Sequence, residues 1–151
     1  MVCMMLSEKT PKPRPETLSA YRIHRTVSTR WSDNDVYGHA NNAVYFHWFD
    51  SVLNAYLMEK GLLNIHQPDV IGLMVETHCN YFDSLAYPQS VEVGLRVAQI
   101  GNSSVRYEMA AFGQAETCAA RGHLVHVYVD PHTRRPLVLP LKWRKVLEEL
   151  Q

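Results

Sequence analysis

Large apolar residues recur along this chain with two different periods. Val44, Tyr45, Trp48, Phe49, Val52, Leu53, Tyr56 and Leu57 come as adjacent pairs every four residues, which predicts one long helix with a broad apolar face. Gly61 marks its end. Elsewhere the period is two. Tyr21, Ile23, Val27 and Trp31 lie on one side of Arg22, His24, Thr26, Ser28 and Arg30, predicting a strand with one buried face. Val91, Val93, Leu95 and Val97 alternate with Glu92, Gly94, Arg96 and Ala98, and the same period resumes after Gly101-Asn102 at Val105, Tyr107 and Met109, which predicts a hairpin. Further strands are predicted from Leu73 to Phe82 and from about Glu116 to Val129, the latter with Val125, Val127 and Val129 on one face and Asp130-Pro131 closing it. Pro140 predicts the start of a short terminal helix through Trp143, Val146, Leu147 and Leu150.

A helix carrying so many large side chains needs a wide apolar surface to cover it, and the rest of the chain offers strands for that purpose. The order strand, long helix, then about four antiparallel strands predicts an α+β fold with one helix wrapped by a curved sheet of about five strands. Pro11, Pro13 and Pro15 stand among polar residues, so residues 1–18 are expected to form an extended, flexible leader and residues 19–151 a single domain. A chain of 151 residues, 46% hydrophobic and 20% charged, is long enough to bury one core. Its 15 basic and 15 acidic residues make no basic field, which argues against nucleic acid as a partner and favours a small molecule. Cys3, Cys79 and Cys118 are odd in number and widely spaced, as expected of a reducing compartment, and the cytoplasm is the expected location. The N-terminus lacks the order of a signal peptide and no apolar run reaches the roughly 20 residues of a membrane span, so no membrane insertion is expected.

The candidate chemistry lies where the polar stretch Asp33-Asn34-Asp35-Val36-Tyr37-Gly38-His39-Ala40-Asn41-Asn42 meets the helix. Asp35 precedes a helix N-terminus whose unpaired N–H groups and positive dipole end suit a developing oxyanion, and Gly38 supplies the freedom such a turn needs. A carboxylate beside an electrophilic cradle suggests acyl transfer. Other readings fit less well. A calcium loop fails at Tyr37 and Val44, and the Gly-x-Ser-x-Gly elbow is absent. His78 and Cys79, neighbours on a predicted strand, point to opposite faces, as do His123 and His126, so neither a nucleophilic dyad nor a metal site is expected. Asp50 and Glu59 are expected on a solvated helix face.

The segment from Arg30-Trp31-Ser32-Asp33-Asn34-Asp35 through Gly38-His39-Ala40-Asn41-Asn42 to Tyr45 resembles the signature of hotdog-fold acyl-CoA thioesterases of the 4-hydroxybenzoyl-CoA thioesterase family. Tyr87-Pro88 and the turn from Val129-Asp130-Pro131 to Pro136 extend the likeness to roughly residues 20–145. The resemblance implies a hotdog fold, hydrolysis of an acyl-CoA without cofactor or metal, and a homodimer joined edge to edge with its active sites at the subunit boundary, homotetramers being common. It implies Asp35 as the catalytic carboxylate, acting as general base or nucleophile, Asp33 as its structural companion, and the backbone N–H of Asn42 as oxyanion donor. Gly38, His39, Asn41 and Tyr45 are the substrate-lining positions of the same junction; His39 fits either an orienting or a structural role, while Asn41 also suits a helix cap and Tyr45 the core.

A thioester departs as a thiolate of modest basicity, so a carboxylate and one or two donors suffice. One departure concerns the coenzyme. Where the 4-hydroxybenzoyl-CoA enzyme carries basic residues near the phosphates, this chain offers Asn102, Ser103 and Ser104 with Arg106 nearby, and these last three are its candidate coenzyme contacts. The same departure motivates two alternatives, a weakly catalytic or non-catalytic acyl-thioester binding protein and a thioesterase acting on acyl carrier protein.

Overall fold

Helix α1 (Asn42–Glu59) buries Tyr45, Trp48, Phe49, Val52, Leu53, Tyr56 and Leu57, the face that the four-residue period predicts. The computed structural model describes residues 11–151, so the first ten residues of the expected leader, with Cys3, lie outside the described residues. The other elements are β1 (Ile23–Ser28), β2 (Ile71–Tyr81), β3 (Ser90–Ile100), β4 (Ser104–Phe112), β5 (Ala120–Val129) and α2 (Leu141–Glu148), with 3₁₀ turns at Leu18–Ala20 and Trp31–Asp33. All strands join one antiparallel sheet in the order β1-β3-β4-β5-β2. The α+β hotdog architecture expected from the sequence is the one observed.

Central strands β3 and β4 lie under α1 and supply Val93, Leu95, Val97, Val105, Tyr107 and Met109 to the core. The sheet curves round α1, and α2 adds Trp143 and Leu147 to the same core. The helix stops where expected. Gly61 takes φ +67, Leu62 N–H bonds the Leu57 carbonyl at 2.9 Å and Gly61 N–H the Met58 carbonyl at 2.9 Å, a Schellman ending that favours a residue tolerant of positive φ. From α2, Lys142 donates to the Gly61 carbonyl at 2.9 Å and ties the two helices together.

Three sequence expectations need correction. Neither Tyr21 nor Trp31 shares the side of Ile23 and Val27: Tyr21 precedes the strand and packs with Phe112 and Cys118 in a second cluster, the strand ends at Ser28, and Trp31 opens a 3₁₀ turn with 80% of its surface exposed. The alternation runs on in the sequence only because a turn of three residues happens to keep the same spacing. β5 begins at Ala120 and not near Glu116, and it turns Leu124, His126 and Tyr128 to the core while Val125 and Val127 are half-buried on the other face. Asp50 on α1 is half-buried and holds Asn54 through its side-chain and backbone oxygens, so it is not on a fully solvated face.

Glu16, within the expected leader, is held to the convex face of the sheet. Arg96 and Arg121 pair with its carboxylate, Tyr21 Oη donates to it at 3.0 Å, and its carbonyl accepts from Cys118 N–H at 2.8 Å. Partial burial pushes the Glu16 carboxyl up, but hydrogen bonds from Arg96 and Tyr21 and the charges of Arg96 and Arg121 outweigh it and hold the group below its ordinary range. A lowered carboxyl pKa in the folded state stabilises the fold above the unfolded pKa and stops doing so as pH falls through the folded value. We therefore expect Glu16→Gln to lose stability to urea unfolding near neutral pH and to converge on the parent protein at acid pH; a gap that stays constant with pH rules this linkage out.

Candidate functional site

The turn before α1 is built by two aspartates with different surroundings. Asp33 is buried, 1% exposed, and grips its own chain: Oδ2 accepts from Arg30 N–H at 2.7 Å and Oδ1 from the Arg30 guanidinium at 2.9 and 3.1 Å. Its carbonyl accepts from Asn41 N–H at 2.9 Å, so the buried acid joins the start of the turn to the helix cap. Asp35 is half-exposed. One carboxylate oxygen accepts from Tyr37 N–H at 2.8 Å; among the described residues nothing donates to the other. Asp35 N–H bonds the His39 carbonyl at 2.9 Å and Gly38 N–H bonds the Asp35 carbonyl at 3.1 Å, closing a tight loop that Gly38 enters at φ +82.

Asn41 caps α1, its side-chain oxygen accepting from Ala43 N–H at 3.0 Å and its carbonyl from Val44 N–H at 2.9 Å. Asn42 N–H, at the start of the first turn, has no acceptor among the described residues. A free N–H there, reinforced by the positive end of the helix dipole, suits an anionic oxygen. From the far side, Tyr81 Oη donates to the Asn42 carbonyl at 2.9 Å while its ring meets Tyr45 edge-on at 5.2 Å. Burial pushes the Tyr81 hydroxyl up, so it remains protonated as a donor.

A cleft of about 400 Å³ opens over this junction, and Asp35, His39, Asn42, Tyr45 and Tyr81 line it together with Asp83 and Ser84. Asp35, His39, Asn41, Asn42 and Tyr45, singled out from the sequence, are thus gathered in this cleft, and Gly38 lines the hollow beside it. Tyr81, Asp83 and Ser84 were not anticipated. Tyr81 ends β2 and Asp83 and Ser84 lie in the loop after it, about forty residues away in sequence, and only the polar break after Phe82 hints at them.

Ser103, Ser104 and Arg106 are elsewhere in the protomer. Ser104 pairs with Val127 and Tyr81 with Ala120, so the β3–β4 turn stands about seven residues further along β5, roughly 23 Å at strand rise. Arg106 faces the convex side of the sheet, where it reaches His123 Nδ1 at 3.0 Å and lies 3.8 Å from Glu76. His123 stacks on His78 there, while His126 is buried on the concave face beside Tyr107 and Tyr128, the opposite-face arrangement that the spacing predicts. Burial pushes the Cys79 thiol up to about 11, which makes it a poor nucleophile.

A carboxylate with a free oxygen, a free amide N–H at a helix start, and a shared cleft suit the addition of water to a carbonyl carbon. The model of the thioesterase-like superfamily matches residues 29–150. The crystal structure of the PA5185 protein from Pseudomonas aeruginosa strain PAO1 is 45% identical, with a TM-score of 0.88 and 91% of this chain and 97% of that chain covered. A thioesterase from Thermus thermophilus, crystallised with coenzyme A and zinc, is 26% identical over 86% of this chain and 95% of its own, with a TM-score of 0.71. The uncharacterized protein YsmA of Bacillus subtilis (strain 168) is 22% identical over 102 residues, 68% of this chain and 69% of that protein.

Gly38 offers a test of the turn. A Cβ placed there meets nothing within 4 Å, so Gly38→Ala adds only the strain of a positive φ. The expected loss is about 1–2 kcal/mol of unfolding free energy in urea; a neutral effect means the loop relaxes to another path.

Proposed function

This chain belongs to the thioesterase-like superfamily, and on that premise we propose that it hydrolyses an acyl-CoA to the free acid and coenzyme A, with Asp35 and the Asn42 N–H as its working groups. The observation that carries the reading is that Asp35, with one carboxylate oxygen unpaired, lines the same cleft as Asn42, whose amide is also unpaired among the described residues. Water adds to the thioester carbonyl carbon as Asp35 takes its proton, and the Asn42 N–H holds the oxygen on which charge grows. Collapse of the adduct breaks the carbon–sulfur bond, and the protonated carboxyl returns its proton to the departing thiolate. In the nucleophilic variant of this scheme, Asp35 attacks the carbonyl itself, the carbon–sulfur bond breaks to release the thiolate, and water cleaves the resulting anhydride to the free acid and the restored Asp35 carboxylate, the water's second proton going to the thiolate. The segment Arg30 to Tyr45 supports a place beside the 4-hydroxybenzoyl-CoA thioesterases within the superfamily. The free thiols Cys79 and Cys118 support a cytoplasmic setting.

The working unit in this reading is a homodimer. β2 is an edge strand whose Leu73, Met74 and Val75 are 36%, 41% and 61% exposed, an apolar edge that a lone protomer leaves open to pairing. Antiparallel pairing of β2 with its copy carries the partner's Ser103 and Ser104 toward the Tyr81 end of this protomer, which gives those residues a route to the coenzyme. Val75→Lys is expected to shift the species seen in analytical ultracentrifugation from dimer to monomer. A monomeric parent protein at micromolar concentration removes the dimer from the scheme.

Asp35→Asn keeps the shape of the side chain and its contact with Tyr37 N–H while removing the base. The expected result is a loss of at least about 10²-fold in thiol release from a panel of short, long and aromatic acyl-CoA esters, with thermal unfolding little changed. Heavy-oxygen water then separates the two routes, because label enters the Asp35 carboxylate only if an anhydride forms. If the parent protein releases no more thiol than Asp35→Asn, the chain binds thioesters without cleaving them; a strong preference for acyl carrier protein esters reassigns the acyl donor.

A further inference from the structure

Adjoining the polar cleft at Asp35 is a second depression, of about 670 Å³, lined by the turn from Asn34 to Gly38, by Asn41 and by Trp31. The two hollows share Asp35, Tyr37 and Asn41. Their chemistry differs. One carries His39, Asn42, Asp83 and Ser84 along its walls, whereas the other adds the indole of Trp31 and the branched aliphatic group of Val36 to the shared Tyr37 phenol, respectively 80%, 94% and 83% exposed. Three large apolar residues within seven positions of a tight polar turn are not explained by the fold, since none of them packs into either apolar cluster of the core. Trp31 is nevertheless held: its ring meets Tyr87 edge-on at 6.0 Å, and Tyr87 N–H bonds the Asn34 side chain at 3.0 Å, which braces the wall against the turn.

We infer that this groove receives the acyl group of the thioester, and that Trp31 and Val36 make the protein selective for large apolar acyl groups over acetyl. The inference rests on the hydrolytic reading above and extends it to substrate class. With the reacting carbonyl between Asp35 and the Asn42 amide, the polar cleft takes the pantetheine arm, whose amides need hydrogen-bonding partners, and the apolar groove takes the hydrocarbon, which needs none. A methylene fully removed from water gains roughly fourfold in affinity, and an open groove that covers one side of the chain realises part of that. The approximately eight methylenes that separate decanoyl from acetyl therefore translate into a preference of at least tenfold.

The test compares kcat/KM for decanoyl-CoA and acetyl-CoA in the parent protein, Trp31→Ala and Val36→Asp, with sedimentation of each. Both positions are exposed, so neither change disturbs the core, and the second adds a charge that an alkyl chain avoids. The expected result is a decanoyl-to-acetyl ratio above about ten in the parent that falls about tenfold or more in both variants, which remain in the parent's oligomeric state. An unchanged ratio in both variants overturns the inference. So does a variant that changes oligomeric state, since the patch is then an interface between copies. A binding readout keeps this apart from the hydrolytic reading. Trp48 and Trp143 are 2% and 5% exposed, so Trp31 dominates the solvent-exposed emission, and decanoyl-CoA in the groove shifts that emission to shorter wavelength in the parent but not in Trp31→Phe. A shift without thiol release sinks hydrolysis and keeps the groove. Thiol release from decanoyl-CoA without a shift sinks the groove and keeps hydrolysis.

Discussion

The structure depends on covering one face of α1. Tyr45, Trp48, Phe49, Val52, Leu53, Tyr56 and Leu57 cannot be left in water, and the strands that cover them bend into a single curved layer, with β3 and β4 near its centre and β1 and β2 at its rims. Placing the helix in the palm of the sheet fixes where its two ends emerge. One end closes on Gly61 against α2. The other emerges near the finish of β2, where Tyr81, Asp83 and Ser84 meet the turn that carries Asp35.

Within that turn, two carboxylates two residues apart divide the labour. Asp33 commits its acceptors to Arg30 and is buried, which stabilises the loop but removes it from chemistry. Asp35 has one oxygen tied to Tyr37 N–H and the other without a donor among the described residues, so the side chain is held at the cleft while lone pairs remain available. Exchanging the two environments would leave the loop without an anchor and the proposed hydrolysis without its base.

Much of this was legible in the sequence, for reasons that separate by range. The helix was plain because its apolar pairs repeat for four turns, and the β3–β4 hairpin because strict alternation flanks Gly101-Asn102. The gathering of Asp35, Gly38, His39, Asn41, Asn42 and Tyr45 follows from their closeness along the chain. Trp31 was misplaced because a period of two does not announce where a strand gives way to a 3₁₀ turn. Tyr81 escaped because its role arises from a contact 39 residues distant. Ser103, Ser104 and Arg106 lie on a hairpin whose end of the sheet is set by the pairing of β4 with β5, information that no local pattern carries.

The bond from Tyr81 to the Asn42 carbonyl acts on the part of a helix that ordinarily frays. Anchored from a neighbouring strand, the opening turn keeps its dipoles aimed even when the cleft holds only solvent. Realignment that a looser entrance would repeat at each encounter has thus been done once, during folding.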